Sequence, residues 1–140
     1  MSALPVFAPP GDKRALEEGE VFTPRFGPDG LITALAVDAD TGAVLMLAHM
    51  NAESLARTLI TGEVWYWSRS RAELWHKGAT SGQIQTLVEM RVDCDQDALL
   101  LRVRVGGDGG CCHTGRRDCF YRGVAYDPQS GAVKLVPRAS

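Results

Sequence analysis

The stretch VDCDQDALLLRVRV, residues 92–105, sets Asp93, Asp95 and Asp97 at alternate positions before an apolar run, with Cys94 among them. Like charges this close repel, so the arrangement asks for a cation. Carboxylate oxygens are hard ligands and suit Mg²⁺ or Ca²⁺. An EF-hand is excluded: no glycine follows Asp97, and the place of the closing glutamate falls in the apolar run. On a straight strand the Cα atoms of Asp93 and Asp97 would stand ~13 Å apart. Either the segment bends, or only two of the three reach one ion. A polar turn of solvated acids is the plainer alternative.

All four cysteines, Cys94, Cys111, Cys112 and Cys119, fall in this part of the chain. In a reducing compartment clustered thiols point to metal or catalysis rather than disulfides, although a lone thiol is often a small buried apolar group. Cys112 and Cys119 are spaced more widely than the paired cysteines of structural zinc fingers. Cys94 alternates with the aspartates, so on an extended strand it faces the other way. Three thiolates would leave one position of a tetrahedral zinc open, as a hydrolytic site requires. His113, next to Cys112, would either fill that position or stand beside it as an acid or base.

Two further stretches offer anion donors. In SRSR, Ser68, Arg69, Ser70 and Arg71 can hold phosphate or carboxylate by charge-assisted bonds; a solvated strand face is the alternative. In KGATSG, Lys77, Thr80 and Ser81 lie among glycines that permit close backbone approach. It lacks the spacing of a phosphate-binding Walker loop, so alone it says little.

The elements that must position these groups are many strands and few helices. Asp12 and Gly19 bound a short helix, and Asn51 and Gly62 bound a stronger one in which Leu55 and Leu59 share a face. Strands are expected at 31–38, 43–50, 64–70 and 98–105, and in a hairpin at 119–126 and 132–136 around the turn DPQSG. From Ile84 the pattern alternates, with Ile84, Thr86, Val88, Met90 and Val92 on one face and Gln85, Leu87, Glu89, Arg91 and Asp93 on the other. A long glycine-rich loop covers 106–118. The fold class is therefore α+β, a mostly antiparallel sheet with one or two helices.

The chain's 140 residues make one domain. A net charge of −2 argues against a generic nucleic-acid binder. No apolar run approaches the ~20 residues of a membrane span, and the N-terminus lacks the basic and apolar regions of a signal peptide, so no membrane association and a cytoplasmic location are expected.

Taken in order, MNAESLARTLITGEVWYWSRSRAELWHKGATSGQ, VDCDQDALLLRV and CHTGRRDCFYR closely resemble the phosphoribosyl-AMP cyclohydrolases of histidine biosynthesis. The resemblance implies a homodimer, here intertwined, that uses Zn²⁺ and Mg²⁺ to open the purine ring of phosphoribosyl-AMP at N1–C6. It implies Asp93, Asp95 and Asp97 as Mg²⁺ ligands, and Cys94 as a zinc ligand shared with the partner subunit's equivalents of Cys112 and Cys119. On this reading His113 is the catalytic base, and Ser68, Arg69, Ser70, Arg71, Lys77, Thr80, Ser81 and Arg116 bind substrate; Trp67 or Trp75 would stack on the purine. Residues 1–20 form a partly loose extension with little counterpart in the family, and 21–140 the catalytic domain. Cys111 stands where the family usually has alanine, and His49 and His76 are read as structural or surface groups. The competing reading is a non-catalytic, zinc-stabilised nucleotide- or RNA-binding module, in which His113 closes the zinc site.

Overall fold

The structure, a computed structural model, describes residues 4–138. Ten elements follow one another: α1 (Lys13–Glu18), β1 (Ile32–Asp38), β2 (Val44–Met50), α2 (Ala52–Thr61), β3 (Trp65–Ser68), β4 (Glu73–His76), β5 (Gln85–Val92), β6 (Ala98–Val105), β7 (Arg122–Tyr126) and β8 (Val133–Pro137). Six strands form one sheet in the order β4-β3-β2-β1-β6-β5, and β7 and β8 pair in a separate hairpin. All pairings are antiparallel except β1 with β6. The architecture is α+β with a mostly antiparallel sheet and two helices, as expected.

Alternation builds the core. Ile32, Ala34 and Ala36 of β1 and Leu99, Leu101 and Val103 of β6 face it side by side, with Leu45, Met46 and Met50 of β2, Val64 and Tyr66. Helix α2 closes it. Asn51 accepts from the Ser54 amide at 2.8 Å while the Ser54 hydroxyl accepts from the Asn51 amide, a reciprocal cap that satisfies two orphan donors. Gly62, at φ 73°, ends the helix in the left-handed conformation and donates to the Thr58 carbonyl. The buried face is Ser54, Leu55, Ala56 and Thr58, whereas Leu59 is exposed. Thr58 explains why the face runs this way: its hydroxyl donates to the Ser54 carbonyl and accepts the Trp65 amide at 2.9 Å, tying helix to β3.

Three expectations are corrected. The strand beginning at Val64 stops at Ser68, and the chain turns through Ala72 (φ 52°) into β4, an element the sequence reading did not separate. On β5 the two faces alternate only as far as Val88: Gln85 is fully buried and Thr86 and Val88 are exposed, but beyond a register shift between Leu87 and Glu89 the neighbours Glu89 and Met90 are both half-buried and Arg91 and Val92 both exposed. The segment carrying the aspartates is a turn, not extended strand, so alternation does not decide where Cys94 faces.

Candidate active site

β1 and β6 run parallel, Thr33 opposite Ala98 and Asp38 opposite Val103. The aspartate turn enters β6 and the cysteine loop leaves it, so the two groups lie at opposite ends of the sheet. β6 has eight residues, which at ~3.3 Å per residue is about 26 Å.

At the entry end the chain bends sharply. Asp93 accepts the amides of Asp97 (3.0 Å) and Ala98 (3.1 Å), capping the start of β6. The bend brings one carboxylate oxygen each of Asp93, Asp95 and Asp97 within 4.8 Å of one another. Arg25 approaches Asp95 at 3.4 Å. Asp97 is pushed up to about 6 by its hydrogen bonds to Asp95 and then Asp93, while the bond to Asp97 holds Asp95 below the ordinary range. Such mutual crowding of exposed acids is what a hard cation relieves. Ligand oxygens ~2.1–2.6 Å from an ion can stand ~4–5 Å apart, so the donor set fits a divalent ion.

At the exit end a cleft of about 420 Å³ opens between two loops. Its lining includes Arg71, Lys77, Thr80, Ser81, Cys112 and His113, drawn from three separate sequence stretches. Of the other anticipated substrate ligands, Ser68 is buried and accepts Arg71's Nε at 3.2 Å, Arg69 and Ser70 occupy the exposed turn, and Arg116 lies over the Tyr121 ring at 4.0 Å. The 77–82 loop is shaped by Gly78: at φ 85°, a Cβ there would sit 2.2 Å from the backbone of Gln83 and Ile84.

The cysteine loop is pinned from several sides. Cys119's amide donates to the Leu45 carbonyl, Arg117 pairs with Asp38 at 2.8 Å, and Lys77's ammonium donates to the Cys111 carbonyl at 2.6 Å. Burial holds Lys77 below the usual lysine range against the opposing pull of the nearby thiols. Burial raises the Cys112 thiol, but the Thr114 hydroxyl at 3.0 Å and the Thr114 amide outweigh it and leave Cys112 lowered. Cys119, hydrogen-bonded to Cys112, is pushed up to about 11, by desolvation first and then by its neighbour. Two adjacent thiols form half of a soft-metal site. Cys94 is exposed at the far end, and among the described residues no third ligand joins Cys112 and Cys119.

His76 and Gln85 had no part in the expected make-up of the cleft. His76 lines it, stacked on Trp65 at 4.4 Å with its Nε2 2.9 Å from Glu63. Trp75 lines it too, but Lys77 and Arg71 already lie over its ring. Behind the loop, Gln85 accepts from the Tyr66 hydroxyl at 2.7 Å and donates to Met46 and Cys111 sulfurs. Spacing gave no sign of Gln85, because a glutamine among alternating residues reads as surface. Burial, then Arg69, holds His49 below the usual histidine range.

The family model for phosphoribosyl-AMP cyclohydrolase matches residues 46–121, from β2 through both cleft loops and the aspartate turn. The chain belongs to the phosphoribosyl-AMP cyclohydrolase family. Curated phosphoribosyl-AMP cyclohydrolases agree: one from Chelativorans sp. is 65% identical over 119 residues, 84% of this chain and 86% of its own length. That of Brucella anthropi is 62% identical over 136 residues, 97% of this chain and 94% of its own, and so takes in most of the first 20 residues. That of Mesorhizobium japonicum is 63% identical over 133 residues, 95% and 87% of the two chains. As a member, the chain is a cyclohydrolase of histidine biosynthesis that opens the purine ring of phosphoribosyl-AMP, which decides against the non-catalytic module. No helix of the described residues is long and apolar enough to cross a membrane.

Proposed function

We propose that the ring opening takes place in the cleft between the 77–82 and 106–121 loops. The observation that carries this is the convergence there of Arg71, Lys77, Thr80, Ser81, Cys112 and His113. The substrate carries a phosphate at each end, and the cleft offers cations and hydroxyls for it. Arg71, oriented by Ser68 and by Glu73 at 3.4 Å, and the hydroxyls of Thr80 and Ser81 hold phosphate. Arg69, Ser70 and Arg116, outside the cleft lining, extend this donor set at its rim.

The reaction adds water across N1–C6. The water oxygen bonds to C6, the N1–C6 bond breaks with its electron pair going to N1, and C6 becomes a carboxamide, one water proton ending on N1 and the other on the exocyclic nitrogen. His113, exposed at the cleft beside Cys112, takes the proton from water and can deliver it to the leaving nitrogen. Zinc, held by Cys112, Cys119 and the Cys94 of a second copy, would supply Lewis acidity to water at neutral pH. Asp93, Asp95 and Asp97 would hold Mg²⁺. The separation of Cys94 from the other two thiols along β6 supports an intertwined homodimer in which each zinc is shared. The catalytic domain then runs over 21–140, with residues 1–20 as an extension, and the protein works in the cytoplasm without nucleic acid.

The test is ring opening of phosphoribosyl-AMP followed by its ultraviolet change. His113→Ala should lower kcat by about 100-fold or more, and Arg71→Ala should mainly raise KM. Wild-type kinetics in both variants would place the chemistry elsewhere.

A further inference from the structure

We propose that the N-terminal arm, residues 12–25, is a positioning element for the aspartate turn and acts through Gln96. This rests on the assignment of the divalent ion to Asp93, Asp95 and Asp97, and concerns what holds that turn closed. Three carboxylates within 4.8 Å, two exposed and one half-buried, drive one another apart whenever no ion lies between them, so the bend needs restraint from outside itself.

Gln96 supplies the attachment point. It lies between Asp95 and Asp97, yet it is only 4% exposed while its acidic neighbours face solvent. Its backbone is left-handed, φ 60°, an unfavourable conformation for a residue with a side chain. A polar residue in a free turn would point outward; this one is turned in and bonded on every side. Its Oε1 accepts the Thr23 amide at 2.8 Å, its Nε2 donates to the Leu16 carbonyl at 3.0 Å, and its own carbonyl accepts the Arg25 amide at 2.7 Å. Its amide donates to the Asp93 carbonyl at 3.1 Å, closing the turn.

The arm is itself anchored. Phe22 packs against the hydrophobic core, with Phe7 edge-on to it at 5.6 Å and Phe26 beside them, also against the core. Hydrogen bonds from Thr23 and Arg25 thus splice the turn to a segment about 70 positions earlier in the sequence. Gln96 touches no carboxylate oxygen, so its role is to position. Linkage then demands reciprocity: if the arm favours the ion-binding arrangement, the ion must stabilise the arm by the same factor.

The experiment uses the full-length protein. Hydrogen exchange reads the amides of Thr23 and Arg25 with and without saturating Mg²⁺, and calorimetry measures Mg²⁺ binding by wild type and by Gln96→Met, which keeps the length of the side chain and loses both of its hydrogen bonds. Mg²⁺ should slow exchange at the two amides about tenfold, and Gln96→Met should bind Mg²⁺ about tenfold more weakly with zinc content unchanged; tenfold is ~1.4 kcal/mol of coupling. Wild-type protein that binds Mg²⁺ without any change at those amides overturns the arm's role and leaves the ion assignment standing. Wild-type Mg²⁺ affinity in Gln96→Met overturns it too, and no Mg²⁺ binding by wild type removes both. Should Gln96→Met not fold, the exchange measurement on wild type decides alone.

Discussion

Mixing two inactive variants should restore activity. Cys94 stands at the entry end of β6 and Cys112 and Cys119 at its exit end, about 26 Å apart at ~3.3 Å per residue. Two thiolates on one zinc are at most ~4.6 Å apart, since each Zn–S bond is ~2.3 Å. One chain therefore cannot bring all three thiols to a single ion without dismantling the sheet. Cys94→Ser and Cys112→Ser should each be inactive. In a mixed dimer one site collects both defects, and the other has every native thiol. Random exchange makes about half of the dimers mixed, each with one good site of two, so recovery should approach about a quarter of wild-type activity. The assay is ring opening after subunits have been exchanged in mild denaturant and zinc restored. Exchange is confirmed by a size or affinity tag on one variant. No recovery in chains shown to exchange would refute the shared site, and full zinc content in Cys94→Ser alone would remove Cys94 from the ligands.

Lys77→Met removes a buried ammonium and leaves the Cys111 carbonyl without its 2.6 Å donor; stability should fall by ~1.5–3 kcal/mol, and an unchanged denaturation midpoint would refute the anchoring role. Asp38's carboxyl is held below its usual range by the Thr41 and Asp40 amides and by Arg117. Its folded value being the lower one, the stability it adds is present above ~3.9, the unfolded value, and is lost as pH falls further. The gap in melting temperature between wild type and Asp38→Asn should therefore close in acid, and a gap constant down to pH ~2 would contradict this. Asparagine at Asp93, Asp95 or Asp97 should raise the Mg²⁺ needed for activity while zinc stays bound; early zinc loss, measured by metal analysis, would mean that the two sites are not separate. Leu55→Ala, at a fully buried position of α2, should cost ~2–5 kcal/mol, read by chemical denaturation.

Helix α2 was legible because both of its ends are written in local chemistry, Asn51 with Ser54 and Gly62 at positive φ. Its buried face was legible only in part, since Leu59 looks like Leu55 until Thr58 is seen bonding to β3. β4 was missed because the turn before it runs through Ala72, with no glycine or proline to announce it. The loss of alternation on β5 after Val88 comes from one irregularity in its pairing with β6, a partner-dependent event that no single-strand pattern carries. At the site, the residue types were readable and their grouping was not. Lys77 and His113 are far apart in sequence and meet in one cleft, whereas Arg69 sits two positions from Arg71 and lies outside its lining. The aspartates posed the opposite problem: alternation left a straight strand and a bend both open, and it is Gln96 and the Asp93 cap that make the bend gathering them.

The parallel pairing of β1 with β6 has a consequence for how the chain comes to be. Thr33 has no partner on that side until Ala98 has been made, with β2, α2 and three further strands in between. At ~5–20 residues per second of synthesis, the central strand of the sheet waits seconds with one edge bare. Local pieces such as the β1–β2 hairpin and the capped helix can form early, but the sheet closes through a contact of long sequence separation, which is entropically slow. A chain cut short before β6 leaves β1 as an open apolar edge, a template for pairing with other chains. Premature termination in this gene should therefore yield aggregates rather than a soluble fragment.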